Sequence, residues 1–143
     1  MKTLLQTTPS GLYCAAGDFY IDPLRPVKRA VITHAHADHA RAGSASYLCA
    51  REGLDLLQAR IGPAAPIEAL AYGEQTTHRG VVLSLHPAGH IRGSAQVRIE
   101  HRGHVTVISG DYKTAADPTC TPLDPQRCHT FISESTFGLP IFK

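Results

Sequence analysis

Apolar and polar residues alternate along 81–86, which sets Val81, Leu83 and Leu85 on one face of a strand that rests on a core. The stretches 95–101 and 104–109 read as two further strands, joined by a tight Arg102-Gly103 turn into a hairpin. An opening hairpin is expected from 11–14 and 19–21 around Ala15-Ala16-Gly17-Asp18. Arg29-Ala30-Val31-Ile32 reads as a buried strand, and 130–133 as a last short one. Helical spacing occurs once, over 51–61, where Leu54, Leu57 and Ile61 recur and Gly62-Pro63 ends the run. Three prolines and two aspartates make 115–125 a loop, and Gly73-Glu74 a turn. The order of these elements predicts a mostly antiparallel sheet with few helices, every polar motif falling just after a strand.

Composition narrows this picture little. The chain has 143 residues, of which 43% are hydrophobic, enough for one sizeable core and hence one domain. No apolar run approaches the roughly 20 residues of a membrane span, and the N-terminal residues lack the sustained apolar stretch of a secretory signal, so a cytoplasmic protein is expected. Cys14, Cys49, Cys120 and Cys128 form no Cys-x-x-Cys pair and read as reduced cysteines of a cytosolic fold. A net charge of +2 is too small to argue for nucleic acid by itself. The nine histidines change the picture, because four of them fall within short motifs.

The densest motif is His34-Ala35-His36-Ala37-Asp38-His39, directly after the strand at 29–32. In an extended segment His34 and His36 point the same way, and two neutral imidazoles can grip one divalent ion. If the chain then turns, Asp38 and His39 face a neighbouring position and can hold a second. A fortuitous histidine tract is the plain alternative, but four metal-capable side chains in six residues make a poor accident. Two more motifs follow strands in the same way. Pro87-Ala88-Gly89-His90-Ile91-Arg92-Gly93-Ser94 has glycines on both sides of His90, which suits a strained loop. Ser109-Gly110-Asp111-Tyr112-Lys113 offers a carboxylate whose two oxygens can bridge two ions.

His34 to His39, then Gly89-His90, then Gly110-Asp111 resemble the successive metal motifs of the metallo-β-lactamase superfamily. The resemblance covers nearly the whole chain and implies an α+β fold, the αββα sandwich, of which 1–143 is the N-terminal, sheet-rich portion. It implies His34, His36 and His90 on a first metal, Asp38 and His39 on a second, and Asp111 bridging. Asp22, in Tyr20-Ile21-Asp22-Pro23, resembles the aspartate that supports the histidine loop from behind. The implied cofactor is a pair of Zn2+ ions, although manganese or iron also suits such ligands. The ions would activate a water as hydroxide and stabilise charge on the attacked group.

Ser133-Glu134-Ser135-Thr136-Phe137-Gly138 resembles the motif that opens the β-CASP region in nucleases of RNA 3′-end processing and DNA repair, and Gly93-Ser94-Ala95 resembles the same branch. Gly11-Leu12-Tyr13-Cys14, Ser109 to Lys113 and Glu134 to Pro140 together are similar to the bacterial ligase-associated DNA exonucleases, also described as mRNA 3′-end processing factor-like. The likeness implies a phosphodiesterase that trims DNA ends, with RNA as the alternative substrate and a ligase/helicase repair system as the partner. Asp38, Asp111 and Glu134 are the implied catalytic carboxyl groups, with Glu134 hydrogen-bonded to a histidine of the site.

Members of the group continue into a β-CASP domain that supplies a further histidine ligand and a histidine general acid. The chain is therefore expected to be truncated before that region, with weak second-metal binding and little activity of its own. Two other readings stay open. One is a small-molecule metallohydrolase of thioesters, lactones or lactams, which would lack the Glu134-Ser135-Thr136 continuation; the other is an inactive scaffold. Arg41, Arg92 and Lys113 lie beside the motifs and are either phosphate contacts or solvated charges. His78, His86, His101, His104 and His129 match no motif and are expected to be structural.

Overall fold

The computed structural model describes residues 4–115 and 117–133. Its strands form two sheets. The first runs β1 (Leu5–Thr8), β2 (Gly11–Cys14), β3 (Phe19–Ile21), β4 (Ala30–Val31), β5 (Tyr47–Ala50) and β6 (Ile67–Leu70), in chain order. The second is ordered β11-β10-β9-β8-β7, from β7 (Gln75–His78), β8 (Val81–Pro87), β9 (Ala95–His101), β10 (His104–Ile108) and β11 (Thr130–Ile132). The expected α+β, sheet-rich architecture is what the chain adopts.

Alternation decides which residues meet. Phe19, Ile21 and Val31 from the first sheet pack with Val81, Leu83, Leu85, Val97, Ile99 and Ile108 from the second, in one shared core. Ala30, Tyr47 and Cys49 turn to the opposite face of the first sheet and join Ile32 and Leu57 in a second cluster. Leu57 belongs to α1 (Leu54–Ile61), which a 3-10 turn over Arg51–Gly53 precedes and Gly62 caps. The helix expected over 51–61 is thus present, with a tighter first turn, and it covers the outer face of the first sheet.

Most of the strand pairing is antiparallel, as expected, but each sheet also contains parallel pairs. The pairs β3–β4, β4–β5, β5–β6 and β10–β11 are parallel, and the remaining pairs are antiparallel. Strand β5 escapes a periodicity reading for a physical reason. Tyr47 and Cys49 meet one cluster while Leu48 and Ala50 meet the other, so both faces are apolar and no alternation survives. Strand β7 escapes for the opposite reason: Gln75-Thr76-Thr77-His78 is a polar edge strand. Its turn to β8 places Arg79 and Gly80 at φ 53° and 80°, the mirror-image hairpin geometry that Arg102 and Gly103 also adopt at 51° and 79°. Cys14, Cys49, Cys120 and Cys128 are free. Among the described residues no helix is long and apolar enough to cross a membrane.

Candidate metal centre

Each segment that follows β3, β4, β8 and β10 delivers polar residues to one place. Ligand atoms of His34, His36, His90 and Asp111 lie within 4.8 Å of one another. His90 Nε2 is 3.3 Å from His36 Nδ1. Asp111 Oδ2 sits 3.5 Å from His34 Nε2, 3.5 Å from His39 Nε2 and 3.7 Å from His90 Nε2. Asp38 Oδ2 completes the group at 3.4 Å from His39 Nε2. One carboxylate oxygen therefore faces imidazoles from two separate loops.

Asp22 orients this assembly from behind. It accepts hydrogen bonds from the Thr33 amide at 2.8 Å and from the Thr33 hydroxyl at 2.6 Å. The hydroxyl proton being committed to Asp22, Thr33 Oγ1 can only accept from His34 Nδ1, 3.1 Å away. That assigns the His34 proton to Nδ1 and leaves Nε2 as a lone pair aimed into the centre. The second Asp22 oxygen also receives His39 Nδ1–H at 2.7 Å, so the lone pair of His39 Nε2 likewise points to Asp38 and Asp111. Thr33 was not picked out from the sequence; the hydroxyl one residue before the first histidine was its only signal.

Electrostatics agree with a cation site. His34 is buried, and burial first, then the neighbouring His39, His90 and His36, pull its pKa from 6.5 down to about 3. The ring is held neutral, as a ligand must be. His34 Nε2 is buried with no hydrogen-bond partner, an arrangement that costs free energy unless something else uses the lone pair. For His39, burial acts downward but the Asp22 hydrogen bond and the charges of Asp22, Asp111 and Asp38 outweigh it, and the pKa is raised. A tetrahedral ion with bonds of about 2.0–2.1 Å sets its ligand atoms roughly 3.3 Å apart. The observed 3.3–3.7 Å spacings fit a divalent ion, and the donor set of imidazoles and carboxylates fits zinc, manganese or iron.

Backbone packing holds the loops in register. Gly110 has φ 56°, and a Cβ there would stand 2.8 Å from Thr33 Cβ. A Cβ on Gly93 would stand 2.2 Å from Gly53 Cα, so the His90 loop lies directly against the start of α1. The Ser94 hydroxyl accepts the amides of His90 and Ile91 at 3.0 and 3.3 Å. The Arg92 guanidinium makes a two-pronged contact with Asp55 at 3.1 and 3.0 Å and reaches the Glu52 carbonyl. Arg60 Nε donates to the Ala35 carbonyl at 3.1 Å, tying the same helix to the first histidine loop. Arg41 donates to the Asp38 carbonyl, and Lys113 pairs with Asp117 at 3.7 Å.

The other histidines make structural contacts. His78 Nδ1 meets the Gly17 carbonyl, His86 meets Ser84, and His129 accepts the Val105 amide while stacking on His104. His101 Nδ1 is buried without a hydrogen-bond partner, away from the centre at the β9–β10 turn. Of the motif Ser133 to Gly138, residues 134–138, Glu134 included, lie outside the described residues.

No protein-family profile matches the chain. Over 134 residues, 91% of the chain, it is 35% identical to a protein of Opitutus terrae (strain DSM 11246 / JCM 15787 / PB90-1) named "Probable DNA ligase". The chain spans 13% of the length of that relative. Among solved structures, a protein of unknown function from Enterococcus faecalis V583 superposes with a TM-score of 0.54 at 16% identity, over 60% of this chain and 25% of that one, a likeness of fold alone. The FEZ-1 metallo-β-lactamase of Legionella gormanii aligns at 25% identity with a TM-score of 0.47, over 64% of this chain and 47% of that one.

Proposed function

We propose that this chain is the metal-binding part of a phosphodiesterase that trims nucleic-acid ends, DNA in the first instance. In this reading 1–143 is the N-terminal part of a metallo-β-lactamase domain, a β-CASP region follows it, and the protein works in the cytoplasm. The observation that carries the reading is the position of Asp111 Oδ2, within 3.5–3.7 Å of His34, His39 and His90 at once, where a shared carboxylate between two cations belongs. His34, His36 and His90 would hold one ion, Asp38 and His39 the other, and two zinc ions suit this set.

Bound there, the ions would supply Lewis acidity, making a water a better nucleophile and drawing charge off the attacked phosphoryl group. The chain's own residues do the rest. Asp22 fixes the tautomers of His34 and His39 through Thr33 Oγ1 and directly, so neither ring has to reorient to bind. Asp38 is 74% exposed at the rim, placed to take up a proton released from an attacking water. By the motif resemblance alone, Glu134 would hydrogen-bond a histidine of the centre. Support for DNA comes from the motif resemblance and from the Opitutus terrae relative, whose name is that of a ligase and which carries a stretch like this one.

The decisive assay uses the full-length gene product with zinc or manganese, end-labelled DNA and RNA oligonucleotides, and a panel of thioesters, lactones and lactams. Shortening of DNA that disappears in His36→Ala is the expected result. Turnover confined to the small molecules would overturn the nucleic-acid reading and leave the metal centre standing.

A further inference from the structure

The large apolar side chains exposed among the described residues are Leu24, Tyr112 and Phe131, and the last two touch. Their rings meet edge to face, centroids 6.5 Å apart, with 39% of Tyr112 and 50% of Phe131 open to solvent. Exposed aromatic pairs are uncommon, because each ring left in water forgoes its burial. This one stands beside the metal centre, since Tyr112 follows Asp111 directly, about 3.8 Å away along the backbone. The segment is also held fast: the Lys113 amide donates to the Ala88 carbonyl at 3.0 Å, just before the His90 loop. Phe131 is presented by β11, the outer strand of the second sheet among the described residues, which runs parallel to the β10 strand that leads to Asp111. The ammonium of Lys113, on the same segment, is paired with Asp117 at 3.7 Å.

We infer that Tyr112, propped by Phe131, is a stacking platform for a nucleobase of the strand whose phosphate enters the metal centre. The inference rests on the nucleic-acid reading above and adds to it a contact with the base. Every base has a π-face, so such a platform holds a single strand without reading its sequence, as an enzyme that trims arbitrary ends requires. Pairing a fixed ring with a fixed carboxylate one residue away couples the position of the base to that of its phosphate. Tyr112 is thus a binding residue, and the metal ligands do not depend on it.

The test measures binding of a phosphorothioate-linked single-stranded oligonucleotide, which resists cleavage, to the full-length gene product. One base near the end is 2-aminopurine, whose fluorescence falls on stacking. Wild type and Tyr112→Phe are expected to bind alike and to quench the probe. Tyr112→Leu is expected to bind about tenfold more weakly without quenching, within the usual range for loss of one stacked base. Replacing the probe base by an abasic site should weaken wild type to the level of Tyr112→Leu. Equal binding and quenching by Tyr112→Leu overturns the platform while the nucleic-acid reading survives. Failure of wild type to bind any oligonucleotide overturns both, and a surface for a protein partner would then remain as the use of the pair.

Discussion

The Asp22 carboxylate and the His39 imidazole meet at 2.7 Å, and the same carboxylate also takes both polar hydrogens of Thr33. Asp22 holds a left-handed backbone conformation, φ 47°, to make these contacts. One residue behind the centre thereby sets the orientation of two rings within it.

Asp22→Asn is expected to weaken divalent-ion binding by roughly 10–100-fold, the usual consequence of losing a carboxylate behind a ligating histidine. Competition with a chromophoric zinc chelator reads the affinity directly. An unchanged affinity would show that Thr33 and His39 hold their geometry without the charge.

Acid should destabilise the metal-free protein through His34. Its pKa falls from 6.5 in the unfolded chain to about 3 in the folded one, so the unfolded state binds the proton more readily. The stability contribution is complete above about pH 6.5 and is lost as the pH falls toward 3. His86, also lowered chiefly by burial, acts in the same direction. His39, with a raised pKa, acts oppositely: its contribution is present below 6.5 and fades as the pH rises through the folded value. Urea midpoints from pH 7.5 to 4 should therefore drop more steeply for wild type than for His34→Gln. Parallel curves would remove His34 as the cause.

Gly93→Ala is expected to cost about 1–3 kcal/mol of stability, the range for strain at a special backbone position. The added Cβ stands 2.2 Å from Gly53 Cα at φ 80°, and backbone on both sides must yield. Gly53→Ala, whose Cβ would meet Gly93 Cα at 3.1 Å without a positive φ, should cost less. Thermal melts of the two variants give the order, and the reverse order would contradict this packing.

The pair Arg92–Asp55 is exposed, and its removal should barely move the unfolding midpoint. Its effect is local, because it fixes the loop that carries His90 against α1. Arg92→Ala and Asp55→Ala are expected to weaken metal binding a few-fold, with the charge swap Arg92→Asp/Asp55→Arg recovering part of it. Loss of melting temperature without loss of metal affinity would make the pair a surface staple and nothing more.

Much of the centre is legible in the sequence because its information is local. His34, His36, Asp38 and His39 lie within six residues, and Gly89-His90 and Gly110-Asp111 each follow a strand that apolar spacing reveals. The β9–β10 hairpin is legible for the same reason, since Arg102-Gly103 alone specifies a turn. What the sequence determined by itself was thus the inventory of candidate ligands, the turns, the helix over 51–61 and the strands with one wet face. Tertiary structure decided the rest. Strand β5 is buried on both faces, which erases its alternation, and its parallel partners come from distant segments. Thr33 gained a role only when Asp22 came within 2.6 Å, and Arg92 gained its partner when Asp55, 37 residues earlier, met its guanidinium. Neighbours of that kind are chosen by burial of a shared core between two sheets, a sum over the whole chain that no short window contains.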